Sequence, residues 1–324
     1  MGTSTMKTIS EVEIGEKADL FAVIKLSKDK KTQNGNGKPY IDFVFEDLTG
    51  SIDGKFWDAS LESIAGYGDL SPGIVVKLRG LIGEWNGKKQ ITVERIRQIN
   101  ETDGVSKDDF IKKAPLSYED MYQSILNVVE QYQNKDLKRI AIAVLEKYQN
   151  ELKFYPASLV VHHNIKAGLL YHTYCMLQIA IKLSELYPMN KELLFTGCII
   201  HDLGKIEEID SNDDGVAVDY TREGKLLGHM IQGIKAIHDL SRELQIDKEV
   251  TLLLEHMIAS HHSKPEFGAV KVPMFFEAEL LHYIDMIDSR TYMYQSATEN
   301  IEPNTFTERM FFLDNKQVYK HNLK

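Results

Sequence analysis

Gly197-Cys198-Ile199-Ile200-His201-Asp202-Leu203-Gly204-Lys205 is the point where an apolar run ends abruptly in charge. Cysteine and isoleucine suit a buried helix, and an adjacent imidazole and carboxylate there each need a partner to offset lost hydration. A metal ion is such a partner, because it binds neutral imidazole nitrogen and carboxylate oxygen together. Gly204 lets the backbone turn, and Lys205 brings a cation within a turn of the carboxylate. His-Asp is a common dipeptide, and alone a purely structural reading is equally good. Its company in the chain decides.

From residue 117 onward the pattern is helical almost throughout, with helices expected over 117–133, 136–153, 166–187, 190–203, 224–245, 247–261 and 273–297. Ser117 with Asp120 opens the first, which carries Met121, Ile125, Val128 and Val129 at helical spacing. His172 lies in Gly168-Leu-Leu-Tyr-His172-Thr. His229 lies in Leu226-Leu-Gly-His229-Met-Ile-Gln-Gly233, where the glycines leave room beside the imidazole. His261-His262 ends a helix just before Lys264-Pro265, and Asp285 and Asp288 stand three apart on one helical face. A helix offers only one or two ligands at a given point, so a multi-ligand site in an all-α domain draws on several helices. Each of these residues alone is more often a satisfied or solvent-facing side chain. Five segments together are hard to explain that way. His256 stands five residues before His261, faces away from it, and reads as structural.

The first hundred residues have a different grain. Strands are expected over 20–26, through Ile41, Phe43 and Phe45 alternating with Asp42, Val44 and Glu46, and over 51–57, 74–83 and 90–96. A short helix is expected over 59–67, and Asn86-Gly87 marks a hairpin. Five strands with a helix between the third and fourth is the order of an OB-fold barrel. A polar glycine-containing loop, residues 28–38, carries Lys28, Lys30, Lys31 and Lys38; with Lys88 and Lys89 these are candidate phosphate contacts. Of the aromatics Tyr40, Phe43, Phe45, Phe56, Trp57 and Trp85, alternation puts three or four in the core and one or two outside. Tyr40, Trp57 and Trp85 are the candidates to stack bases. The expected organisation is therefore multidomain: an all-β OB-fold barrel over 1–100, a linker over 101–116, an all-α helical bundle over 117–300 and a tail over 301–324 with an apolar cluster.

Charge follows the same division. Residues 1–100 hold 14 Lys+Arg against 14 Asp+Glu, so the net charge of −10 falls wholly on residues 101–324. An acidic half is a poor sequence-independent phosphate binder unless metal ions invert the local field. No run approaches the 18 or so apolar residues of a membrane span, and the first residues lack the apolar stretch of a signal peptide. Cys175 and Cys198, both in apolar helical patterns, read as reduced core thiols. A cytoplasmic protein with no membrane partner is expected.

The order His172…His201-Asp202…His229…His261-His262…Asp285 resembles the HD superfamily of metal-dependent phosphohydrolases, over about residues 160–295. With the OB-like stretch "FVFEDLTGSIDGKFWD" ahead of it, the whole chain resembles the YhaM-type 3′→5′ exoribonucleases. Ala167 departs from related motifs, which favour a second glycine there. The resemblance implies His172, His201, Asp202 and Asp285 as core metal ligands, with His229, His261 and His262 completing a second site. Asp202 would bridge two ions, and Lys205 would meet substrate phosphate. The implied cofactor is a pair of divalent ions, Mn²⁺ by family expectation, with Fe²⁺, Co²⁺ and Mg²⁺ also compatible with such ligands. The implied reaction is hydrolysis of single-stranded RNA, and of single-stranded DNA as a second substrate, to nucleoside 5′-monophosphates by a metal-activated water. A homo-oligomer is compatible with the apolar tail. Two other readings stay open: a phosphohydrolase of nucleotides or cyclic dinucleotides, and a nucleic-acid-binding factor with a relic HD domain.

Overall fold

The computed structural model describes residues 6–32, 37–159, 161–212 and 215–323. Residues 1–5 and 33–36, part of the expected start and of the expected lysine loop, lie outside the described residues. The chain divides into two compact units, Met1–Lys112 and Lys113–Lys324.

The first unit is a closed barrel of β1 (Lys17–Lys31), β2 (Pro39–Asp47), β3 (Gly50–Trp57), β4 (Val75–Trp85) and β5 (Lys88–Gln98). Its order β1-β2-β3-β5-β4, parallel only between β3 and β5, is that of an OB-fold. Alternation drives the interior: Ile41, Phe43 and Phe45 are fully buried, with Leu20, Ile24, Leu78, Ile82 and Ile91 around them. Gly54, opposite Phe43, makes room for these rings, since a Cβ there would stand 2.4 Å from Phe45 Cε2. Asn86 and Gly87 both take positive φ, as a two-residue hairpin turn between right-twisted strands requires.

Several expectations are corrected. β1 runs on to Lys31, so Lys28, Lys30 and Lys31 sit on a strand paired with β2 and not on a loop. Cross-strand charge accompanies this pairing. Asp42 lies beneath the ammonium groups of Lys30 and Lys55; burial pushes its carboxyl up, but the two cations outweigh that and hold it below its ordinary range. The helix expected over 59–67 reduces to one 3-10 turn, Ala65–Tyr67. Ser60 and Ser63 bond each other's backbone there, and Gly68 takes a φ of 102°. Residues 101–112 cluster with the barrel, where Asp103 takes both Arg97 and Lys77.

The second unit contains α1 (Tyr118–Glu130), α2 (Lys135–Lys147), α3 (Gly168–Ser184), α4 (Lys191–Ile200), α5 (Lys205–Glu208), α6 (Arg222–Glu243), α7 (Lys248–Ser260) and α8 (Phe276–Glu299). Two small hairpins join them, β6 (Ile209–Ser211) with β7 (Ala217–Tyr220), and β8 (Thr305–Phe306) with β9 (Tyr319–Lys320). Ser117, Asn134, Asn190 and Asp247 cap their helices through side-chain oxygens. α4 is the axis of this unit, every residue from Leu193 to Ile200 being buried. α6 is kinked at Gly228 (φ 71°, ψ 163°), so the glycine before His229 supplies a bend in the helix as well as room. Gly204 lets α5 begin hard against α6, because a Cβ there would meet His229 O at 1.9 Å.

Gly54→Val should destabilise the barrel by about 1–3 kcal/mol through overpacking. The readout is the urea midpoint of tryptophan fluorescence, since both tryptophans, Trp57 and Trp85, lie in β3 and β4. An unchanged midpoint would mean that Phe43 and Phe45 repack freely.

Candidate metal centre

α4 delivers His201 and Asp202, 0% and 3% exposed, into the interior. The C-terminal end of a helix carries partial negative charge, so a carboxylate added there calls for cations. Asp202 meets imidazoles on two sides. Its Oδ2 lies 2.6 Å from Lys205 Nζ, 3.2 Å from His201 Nε2 and 3.7 Å from His172 Nε2. Its Oδ1 lies 3.6 Å from both His229 Nε2 and His261 Nε2. On the first side α3 contributes His172 and α8 contributes Asp285, whose Oδ1 stands 3.5 Å from His172 Nε2. His172, His201 and Asp285 present ligand atoms within 4.8 Å of one another, and so do Asp202, His229, His261 and His262 on the second side.

The imidazoles are oriented from behind. His172 Nδ1 donates to Asp288 Oδ2 at 2.6 Å, and His163 Nε2 shares that oxygen at 2.7 Å. His201 Nδ1 donates to Cys198 O at 3.0 Å and His261 Nδ1 to Ile258 O at 2.8 Å. In both, the acceptor is a carbonyl of the helix's last turn, which has no helical partner. Glu208 takes His229 Nδ1 at 3.2 Å and His229 N at 3.0 Å. With Nδ1 committed at His172, His201, His229 and His261, Nε2 is the nitrogen each of them turns toward the centre.

These residues fit a divalent cation. Asp202 Oδ1, His229 Nε2 and His261 Nε2 are buried without a hydrogen bond, three acceptors converging where no donor meets them. Burial lowers His261 and takes His262 down to about 3, so both imidazoles are neutral, as ligation requires. At His172 burial also lowers, but Asp285 and Asp288 outweigh it and push the imidazole up to about 9. Burial raises both carboxyls, yet Lys205 and His201 hold Asp202, and His172 holds Asp285, well below the carboxylate range. The centre carries fixed negative charge and draws positive charge to it.

Sequence reasoning missed Glu208. Its signal lay in the Glu207-Glu208 pair just after Lys205, and only the meeting of α5 with α6 brings it to His229. His162 also belongs to the cluster: it shares a ligand-spaced group with His172 and Asp202, and its Nε2 is buried without a hydrogen bond. His256 is indeed elsewhere, accepting a bond from Met274 N at 3.1 Å.

On the barrel, Tyr40 and Trp57 pair directly across β2 and β3 with ring centroids 4.9 Å apart. Trp57 and Trp85 are exposed, and Lys88 stands opposite Trp85 at the β4–β5 tip. Lys28 and Lys31 are exposed on β1, Lys38 reaches Asp58 at 3.4 Å, and Lys30 is committed to Asp42. Lys89 Nζ donates to Val12 O at 2.6 Å, a structural contact. The sequence reading also missed a cationic ladder: Lys77 faces Arg97 and Arg79 faces Arg95 across β4 and β5. Like charges directly opposite are destabilising, and Asp103 and Asp19 offset them only in part. Hairpin register alone makes these cations neighbours.

Residues 169–290 match the HD domain family. Over 309 residues the chain is 40% identical to the 3′-5′ exoribonuclease YhaM of Bacillus licheniformis, covering 95% of this chain and 96% of that one. The chain belongs to the YhaM family. Among solved structures it is similar to the second OB-fold domain of replication protein A from Methanococcus maripaludis, at 19% identity over 30% of this chain and 97% of that one, with a TM-score of 0.25. It is similar also to the OB domain of Ta0387 from Thermoplasma acidophilum, at 18% identity over 29% and 87%, with a TM-score of 0.24.

In this family member Asp288→Ala should weaken divalent-ion affinity about 10- to 100-fold, because it frees His172 and His163 from their shared acceptor. Calorimetric titration of the apo-protein with Mn²⁺ checks it. Wild-type affinity would show that Asp288 does not orient the ligand.

Proposed function

We propose that this YhaM-family chain takes single-stranded RNA at its 3′ end and releases nucleoside 5′-monophosphates, with single-stranded DNA as a second substrate. The observation that carries the reading is Asp202, whose two oxygens face two separate imidazole groups. A carboxylate so placed suits a pair of divalent ions, one held by His172, His201, Asp202 and Asp285, the other by Asp202, His229, His261 and His262. Imidazole and carboxylate without thiolate fit Mn²⁺, the proposed ion. When bound, such a pair supplies an activated water and neutralises charge on a phosphoryl group.

The chain's own residues do the rest. Lys205 Nζ, seated on Asp202 Oδ2, is placed to meet a nonbridging phosphate oxygen as negative charge grows there. Asp288, Glu208 and the two helix-end carbonyls keep His172, His229, His201 and His261 turned inward. Water oxygen adds to phosphorus and the P–O3′ bond breaks, so the shortened strand keeps a 3′-hydroxyl and the terminal nucleotide leaves as its 5′-monophosphate. The proposed division of labour gives catalysis to residues 117–300 and strand binding to residues 1–100, through Tyr40, Trp57, Trp85, Lys28, Lys31, Lys38 and Lys88, joined by the 101–116 segment. No helix among the described residues is long and apolar enough to cross a membrane, and a cytoplasmic location is proposed.

The experiment is 5′-labelled single-stranded RNA incubated with Mn²⁺ and, separately, with EDTA. A ladder shortening from the 3′ end only with Mn²⁺ supports the reading. Hydrolysis of nucleotides or cyclic dinucleotides with RNA left intact would replace it, and binding without cleavage would leave a nucleic-acid-binding factor.

Asp202→Ala should lower kcat/KM on RNA about 1000-fold or more and reduce bound metal; near-wild-type turnover by a folded, metal-checked variant would remove the shared-carboxylate assignment. Lys205→Ala should lower kcat/KM about 100-fold with metal content retained. Comparable values for variant and wild type would reduce Lys205 to a structural partner of Asp202.

A further inference from the structure

A cavity of about 560 Å³ opens beside the metal centre, lined by Asp202, Lys205 and Asp285 of that centre and by Phe311 and Phe312 of the C-terminal segment, where the Arg290–Asp314 pair also borders it. Met286 and Met293 of α8 add apolar lining. The volume lies within the range of pockets that take one small organic ligand. Its lining differs in chemistry: the metal-centre side gathers buried charge, and the Phe311–Phe312 side presents aromatic surface beside the Arg290–Asp314 ion pair. Phe311 is 80% exposed and Phe312 50%, although apolar side chains gain from burial.

The aromatic side is held in place. Phe311–Leu313 forms a single 3-10 turn whose Leu313 is buried and whose following residue, Asp314, takes a left-handed φ of 57°. Arg290 Nη2 donates to Asp314 Oδ2 at 2.9 Å and so pins the turn to α8, while Lys316 Nζ donates to the same oxygen at 2.9 Å. The two rings stand edge to face, with centroids 5.4 Å apart. Leu313 therefore anchors the turn, and the phenyl rings beside it stay on the cavity wall.

We propose that this cavity receives the 3′-terminal nucleotide of the RNA, with its base against Phe311 and Phe312 and its 5′-phosphate at the metal centre. The inference rests on the exoribonuclease reading and adds what recognises the strand end. A phosphate at one end and an apolar π-face at the other are the two ends of a nucleotide, and they match the two kinds of lining in the cavity. Stacking accepts any base because every base has a π-face, so the pocket reads the presence of a base and not its identity. A cavity sized for one nucleotide beyond the scissile phosphate also gives exonucleolytic trimming a physical basis.

The test compares full-length wild type with the Phe311→Ala/Phe312→Ala variant on two single-stranded RNAs, one with an intact 3′-terminal nucleotide and one whose terminal ribose lacks its base. Wild type should favour the intact end by about 5- to 150-fold in kcat/KM, the value of one stacked base, and the variant's preference should collapse toward one. Phe311→Trp should restore it. A variant-free arm compares a nucleoside 5′-monophosphate with ribose 5-phosphate as inhibitors of wild type, the nucleotide binding tighter by a similar factor. Equal wild-type rates on the two RNAs, equal inhibition by the two phosphates, or a variant that keeps the full preference overturns the pocket while the exoribonuclease reading stands. So does a variant that loses both RNAs equally and changes oligomeric state, which would make the rings a subunit contact. Wild type that cuts neither RNA overturns both readings.

Discussion

The burial of one carboxylate governs the helical unit. Asp202 is almost wholly out of water at the C-terminal end of α4, a helix that is itself buried along its length. A lone charge there would cost several kcal/mol, and the partial charge of the helix end adds to the difficulty. The surrounding elements answer that demand. α3 brings His172, α5 begins with Lys205, α6 brings His229, α7 ends at His261, and all of them place nitrogen within 3.7 Å of an Asp202 oxygen. Lys205 satisfies Oδ2, whereas Oδ1 is left to imidazoles whose lone pairs point at it. What remains unsatisfied is shaped for a cation, and this is how a stability problem becomes a reactive centre.

Close backbone approach makes the convergence geometrically accessible. Gly204 touches the His229 carbonyl and Gly168 the His163 carbonyl at distances no Cβ would tolerate. Ala167 adopts a left-handed φ of 58° to start α3. The kink at Gly228 then swings His229 under Glu208. His172, His201, His229 and His261 are each fixed by a bond at Nδ1, two of them to carbonyls that a terminating helix leaves free. Helix ends thus serve twice here, as places where the chain turns and as orienting acceptors.

The barrel answers a different physical requirement. Its interior is filled by Phe43, Phe45 and branched aliphatics, and its outer face carries charge that the register sorts into pairs. Asp42 beneath Lys30 and Lys55 is a compensated pair, and the ladder of Lys77, Arg97, Arg79 and Arg95 is an incompletely compensated one. Tyr40 beside Trp57, with Trp85 and Lys88 at the hairpin tip, offers the stacking and cationic chemistry that single strands use.

The sequence alone determined the OB-fold barrel followed by a helical HD unit, because period-2 and period-3.6 patterns are local and burial enforces them. Five segments each carrying imidazole or carboxylate in apolar surroundings pointed to one cluster, and His172, His201, Asp202, His229, His261, His262 and Asp285 do converge. Tertiary structure decided what no local pattern encodes. Glu208 behind His229, the carbonyls behind His201 and His261, and Asp288 shared between His163 and His172 are contacts between segments far apart in the chain or set by how a helix ends. β1 outran its expected end, pairing with β2 as far as Lys31 with Asp42 meeting Lys30 across the ladder, a pairing visible only once register is known. The wall of the cavity was settled last, when the Arg290–Asp314 bond pinned the Phe311–Leu313 turn to α8 and left two phenyl rings facing the metal centre's pocket.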